Sequence, residues 1–74
     1  MQPYRDKHGD SGIVAYETGP ESITVRFHQG GTYLYDGVKP GARHVAEMKR
    51  LAWAGEGLNT YINQHVRDNC AKLS

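Results

Sequence analysis

The sequence predicts an α+β domain, a three-stranded antiparallel β-meander followed by two α-helices packed on one face (β-β-β-α-α). Three observations predict it. β-branched and aromatic residues fill the stretch from Gly12 to Tyr35, short Gly, Pro and Asp clusters interrupt it, and the apolar period lengthens to that of a helix beyond Pro40.

Each element has its own local reason. Residues 1–10 are polar and mixed in charge without apolar periodicity, which predicts a flexible N-terminal tail ahead of one domain spanning 11–74. Gly12 to Glu17 reads as the first strand, and Thr18-Gly19-Pro20-Glu21 supplies its turn. The second strand alternates, with Ile23, Val25 and Phe27 on one side and Thr24, Arg26 and His28 on the other. Gly30-Gly31 marks a hairpin, and Thr32 to Tyr35 forms the third strand, closed by Asp36-Gly37. Connections this short permit only an antiparallel meander.

Pro40 suits the first position of a helix, where its missing N–H is not needed. That helix extends to about Ala54, with Val45, Met48, Leu51 and Ala52 as its apolar stripe and Arg43, Glu47 and Arg50 on the far side. Gly55-Glu56-Gly57 breaks it. A second helix from Leu58 places Leu58, Ile62, Val66, Asn69 and Leu73 on one stripe, to be covered by the apolar face of the sheet.

Composition narrows the function classes. A chain of 74 residues buries only about 60% of the surface it exposes unfolded, so its core is small. Cys70 is the only cysteine, which rules out an intramolecular disulfide and fits a reduced, cytoplasmic setting. The absence of a long apolar run or a basic-apolar leader predicts neither a membrane span nor a visible secretion signal. Nine Lys and Arg against eight Asp and Glu leave a net charge of +1, so nucleic-acid binding must come from charge placement.

Four segments then stand out together: Val14-Ala15-Tyr16-Glu17; Ile23-x-Val25-x-Phe27-x-x-Gly30; Tyr33-x-Tyr35-x-x-Val38; and Tyr61-Ile62-Asn63-Gln64-His65-Val66-Arg67-Asp68. In this order and spacing, over about residues 11–70, the chain resembles the KTSC domain, found at the C-terminus of some lysyl-tRNA synthetases and as small stand-alone bacterial proteins. Lys39, where the family tends to have proline, and the longer Gly55 to Asn59 connection depart from its pattern. The resemblance implies the β-β-β-α-α fold and, through the company the family keeps in synthetases, an association with RNA.

The Tyr33-Leu34-Tyr35 element is the most informative feature, and two registers are open. With Phe27 opposite Tyr33 across a five-residue loop, both tyrosines join Ile23, Val25 and Phe27 in the core. With a two-residue turn at Gly30-Gly31 the register shifts by one, and the tyrosines join Arg26 and His28 on the open face, where they would stack bases. The resemblance favours the inward register, because the family keeps both tyrosines while the residue between them varies.

Lys39, Arg43, His44, Lys49 and Arg50 give the first helix a cationic flank suited to phosphates, against which Glu47, at helical spacing from Arg43 and Arg50, argues for a solvated, ion-paired face. Arg67 matches the family's pattern and points to a tie to the Asp36 loop or to a nucleic-acid contact. Trp53 falls off the apolar stripe, where a large aromatic covers the end of a small core or sits in a self-association surface. His8, His28, His44 and His65 lack the paired spacing of a zinc site, and His65 and Cys70, five apart on a helix, do not make a nucleophilic pair. No metal, cofactor or catalytic residue is expected.

These observations predict a small non-enzymatic cytoplasmic binding module. Its expected ligand is RNA or single-stranded nucleic acid, contacted by Arg26, Tyr33, Tyr35, Arg43, Arg50 and Arg67. The alternative is a protein-interaction or accessory protein, phage- or plasmid-borne, that forms a homodimer or docks a protein partner through Trp53.

Overall fold

The computed structural model describes residues 1–6 and 12–73. It is α+β, as expected, with a five-stranded antiparallel sheet in place of the three-stranded one: β1 (Gln2–Pro3), β2 (Ile13–Gly19), β3 (Ser22–Phe27), β4 (Thr32–Asp36) and β5 (Ala71–Lys72), hydrogen-bonded in sequence order. The central meander β2-β3-β4 is the predicted one. Helix α1 (Ala42–Ala54) and the shorter α2 (Leu58–Tyr61), which continues into a π-helical turn (Ile62–Val66), connect β4 to β5.

The two added strands correct two sequence readings. Residues 1–6, expected to belong to a flexible tail, join the sheet: Gln2 pairs with Tyr16 and Pro3 with Ala15, and the Tyr4 amide donates to the Val14 carbonyl at 3.0 Å. Tyr4 is 6% exposed, its ring edge-on to Tyr16 at 6.5 Å, and its hydroxyl accepts a long 3.4 Å bond from the Leu58 amide, an otherwise orphaned donor in the first turn of α2. The energetic reason is burial of the Tyr4 ring together with the ladder hydrogen bonds of β1, which offset the ordering of a few residues. The remainder of the predicted tail, including His8, lies outside the described residues.

The second correction concerns the last helix. Leu58, Ile62 and Val66 are buried as the stripe predicts, but Asn69 and Leu73 are exposed, because the helical backbone ends after Val66. A turn follows, with the Asn69 amide bonded to the Val66 carbonyl at 3.0 Å. The chain then pairs Ala71 with Leu34 and Lys72 with Tyr33, and the Leu73 amide reaches Thr32 at 2.8 Å. An exposed edge of β4 is thereby satisfied, which a continued helix would leave open.

Helix α1 starts at Ala42, two residues later than Pro40 predicts. Pro40 instead bridges to Asp36 after a cis Lys39–Pro40 peptide, and the Asp36 carboxylate accepts the Val38 and Lys39 amides at 3.0 and 2.9 Å. The break between the helices is as expected: Gly55 has φ 76°, and its amide reaches Leu51 and Ala52. A Cβ there would sit 2.6 Å from that of Arg5, so both the backbone conformation and the packing of the N-terminal segment call for glycine.

The core lies between one sheet face and the helices. Tyr16, Ile23, Val25 and Tyr35 from the strands meet Val45, Met48, Ala52, Leu58, Ile62 and Val66, while Leu51 packs half-buried at its margin. The other face, with Ala15, Arg26 and Thr32 in one cross-strand row and Glu17, Thr24 and Leu34 in the next, has no helix across it among the described residues.

Candidate functional site: the groove beside β4 and β5

The register decides what the tyrosines do. Tyr35 pairs with Ile23 and Tyr33 with Val25, so both face the helices. The loop falls between the two sequence alternatives of five and two residues: Phe27 faces Gly31, its amide donating to that carbonyl at 3.0 Å, with Gly30 and Gly31 at φ 107° and 97°. Relative to a five-residue loop the pairing slides by two residues, which leaves the facing unchanged.

Tyr35 is 1% exposed and belongs to the core. Burial pushes its hydroxyl pKa well above the ordinary range, and the Cys70 thiol beside it adds to the rise. Tyr33 stands at the rim, half-buried, with its hydroxyl donating to the Gly30 carbonyl at 2.7 Å and its ring edge-on to Phe27 at 5.7 Å. Arg26 pairs with Thr32 on the opposite face. The expected cluster of Arg26 with both tyrosines therefore does not form.

The cations of α1 are dispersed as well. Arg50 is held by Glu47 through two contacts, Nε to Oε1 at 3.1 Å and Nη2 to Oε2. The hydrogen bond from Arg50 keeps the Glu47 carboxyl below its usual pKa, and the same bond raises that of the guanidinium. Lys49 turns back to the β2–β3 connection, its Nζ donating to the Gly19 and Pro20 carbonyls at 2.6 and 3.3 Å. Arg43 and Lys39 are exposed, and His44 bonds to Tyr61. The ion-paired, solvated reading of this flank describes Arg50; Lys49 is a structural tie.

Sequence reasoning missed the place where Tyr33 and Arg67 do meet. An open groove of about 560 Å³ runs between the β3–β4 hairpin, β5 and the π-helical turn. Phe27, Gln29, Gly30, Tyr33 and Tyr35 line one side; Ile62, Asn63, Arg67 and Asp68 line the other, and Cys70 and Lys72 close the end. Arg67 and Lys72 are exposed cations, Asp68 is the one acidic group in the lining, and Asn63 and Gln29 contribute amides. In the Asp36 loop, to which Arg67 was expected to tie the second helix, the Asp36 carboxylate is engaged by the amides of its own turn. The groove exists because the chain leaves the helix at Val66 and returns as β5. The turn formers Asp68 and Asn69 are the sequence signal for that exit.

A second groove, about 450 Å³, is bounded by Met1, Gln2, Glu17, Thr18 and Trp53. Trp53 is 57% exposed there, and the N-terminal ammonium lies 3.8 Å from the Glu17 carboxylate. Among the described residues no three His, Cys, Asp or Glu side chains come together in a metal-holding group, and no helix is long and apolar enough to cross a membrane. Cys70 lies in the groove beside Tyr35, while His65 belongs to a separate cluster with Tyr61 and His44. No family model, curated protein or solved structure matches the chain.

Proposed function

We propose that the chain is a non-enzymatic, cytoplasmic binding module of the KTSC type that takes a single-stranded nucleic acid, RNA foremost, in the groove beside β4 and β5. The observation that carries this reading is the grouping of Arg67 and Lys72 with Tyr33 and Phe27 around one open groove. Cations on a groove rim neutralise phosphates, and aromatic walls hold unpaired bases, each stacked base contributing about 1–3 kcal/mol. Asn63 and Gln29 add donors and acceptors for base edges. Of the residues first singled out, Tyr33 and Arg67 line this site and Tyr35 forms its floor; Arg26, Arg43 and Arg50 do not line it. With a net charge of only +1, binding rests on this local placement.

The test is the anisotropy of a short labelled RNA titrated at about 50 and 200 mM salt. Affinity is expected to fall with salt, and Arg67→Ala or Lys72→Ala each to flatten the salt slope by about 0.7, the share of one phosphate contact on a single strand. Arg26→Ala should leave binding unchanged. No binding at low salt, or a loss confined to Arg26→Ala, overturns the assignment.

A second reading has its own observation. Trp53 and Met1, 57% and 56% exposed, border the second groove together, as at the centre of a homodimer or protein-partner surface. Sedimentation tests it: a concentration-dependent dimer that Trp53→Ala abolishes supports it, and a monomer at high concentration refutes self-association.

A further inference from the structure

The turn that leaves the second helix carries a carboxylate that the fold does not use. Asp68 is exposed beside Arg67 and is the one acidic side chain lining the groove. The other turn aspartate shows the contrast. The Asp36 carboxylate accepts the Val38 and Lys39 amides and so holds its own loop, whereas the turn after Val66 is closed by the backbone, the Asn69 amide donating to the Val66 carbonyl at 3.0 Å. Among the described residues the Asp68 carboxylate has neither a hydrogen-bond nor an ion-pair partner, and the charged ends of Arg67 and Lys72 have none either.

We propose that Asp68 makes this groove selective for guanine, its two oxygens accepting the N1–H and the exocyclic amine of one unpaired base, a selectivity that rests on the groove taking single-stranded nucleic acid as proposed above. Hydrogen-bond complementarity is the first reason. An ionised carboxylate only accepts, and its two oxygens can take two parallel N–H bonds at once. Guanine presents two adjacent donors on its Watson–Crick edge. Adenine and cytosine each set a single amine beside an acceptor nitrogen, and uracil flanks its one N–H with two carbonyls, so each of these turns a lone pair toward a carboxylate oxygen. The remaining guanine oxygen is an acceptor, and the side-chain amide of Asn63, which lines the same groove, can donate to it.

Charge is the second reason. An unpaired carboxylate next to cations that meet phosphates weakens the hold on any polyanion, unless it finds donors on the ligand. It therefore acts against every base but the one that supplies two. The third reason is a platform set before ligand arrives. The Tyr33 hydroxyl donates to the Gly30 carbonyl at 2.7 Å and its ring meets Phe27 edge-on at 5.7 Å. Tyr33 also pairs with Lys72 across the β4–β5 ladder, so a ring for stacking and a cation for phosphate share one face of the sheet. A base stacked on a ring already held in place loses little further freedom, which lets a single edge contact discriminate.

The experiment is anisotropy at about 50 mM salt with labelled heptauridine and with heptamers whose central uridine is replaced by guanosine, adenosine, cytidine or inosine. The guanosine heptamer should bind about tenfold tighter than the uridine, adenosine and cytidine ones, the discrimination of one bidentate base contact. Inosine, which lacks the exocyclic amine, should lose most of that advantage and tests the contact without altering the protein. Asp68→Asn, with an unchanged circular dichroism spectrum, should bring guanosine to the level of adenosine while heptauridine binds no more weakly than to the parent. Equal affinities for the four bases, or a guanosine preference that survives in Asp68→Asn, overturn the selectivity and leave the groove reading standing. No binding of any heptamer overturns the groove reading itself and the selectivity with it.

Discussion

Replacing Tyr35 by alanine separates a core tyrosine from a base-stacking one. The side chain is 1% exposed, faces Ile23 across the β3–β4 ladder and meets Cys70 at its hydroxyl end. Truncating a fully buried aromatic removes its transfer energy and leaves a cavity in a close-packed layer, at a cost of about 3–5 kcal/mol. For 74 residues, at roughly 0.05–0.15 kcal/mol per residue, the whole domain has about 4–11 kcal/mol. Tyr35→Ala should therefore remove about a quarter or more of the stability and can unfold the domain outright. Urea denaturation followed by far-ultraviolet circular dichroism measures this, with the midpoint moving strongly to lower urea. Tyr33→Ala, at the half-buried rim, should cost clearly less and weaken RNA binding. A Tyr35→Ala protein within about 1 kcal/mol of the parent, below the range for buried aromatics, would refute the assigned register.

Four further outcomes follow from the same structure. Tyr4→Ala should destabilise by about 3–4 kcal/mol in urea titration, as removal of a buried aromatic does; no change would return residues 1–6 to the status of a tail. Gly55→Ala should cost at least about 1 kcal/mol, from the left-handed backbone it requires and the close approach of Arg5. Gly37→Ala, in open space at a φ outside the left-handed region, should be neutral or stabilising by up to about 1 kcal/mol. Burial raises the hydroxyl pKa values of Tyr35 and Tyr4 above the ordinary 10.0, so the folded state holds these protons more tightly than the unfolded chain. Their contribution to stability is intact below pH 10 and is lost as pH rises above it toward the folded values. Urea midpoints should therefore fall above pH 10, and Tyr35→Phe should fall less steeply; equal slopes would contradict the burial of that hydroxyl.

What was legible in the sequence were features with a period or a turn signature. The alternation of Ile23, Val25 and Phe27, the stripe of Val45, Met48 and Ala52 and the glycines at 55 and 57 all express local geometry. β1 and β5 were not legible, because two-residue strands carry no period and exist only through the partners they pair with. The same holds for the groove. Tyr33, Arg67 and Lys72 come from three segments, and only the exit from the helix at Val66 makes them neighbours. The direction of the tyrosines turned on the parity of a glycine loop, where Gly30 and Gly31 permit several lengths and sequence alone does not choose among them.

In the proposed binding mode, ligand enters the groove beside β4 and β5 and not the open face of the sheet. Backbone amide chemical-shift mapping on the labelled protein with a short single-stranded RNA tests it most directly. The predicted result is a contiguous set of shifts at Gln29, Tyr33, Asn63, Arg67 and Lys72, with Thr24 and Arg26 unmoved. Shifts centred on Thr24, Arg26 and Thr32, or none at low salt, would contradict it.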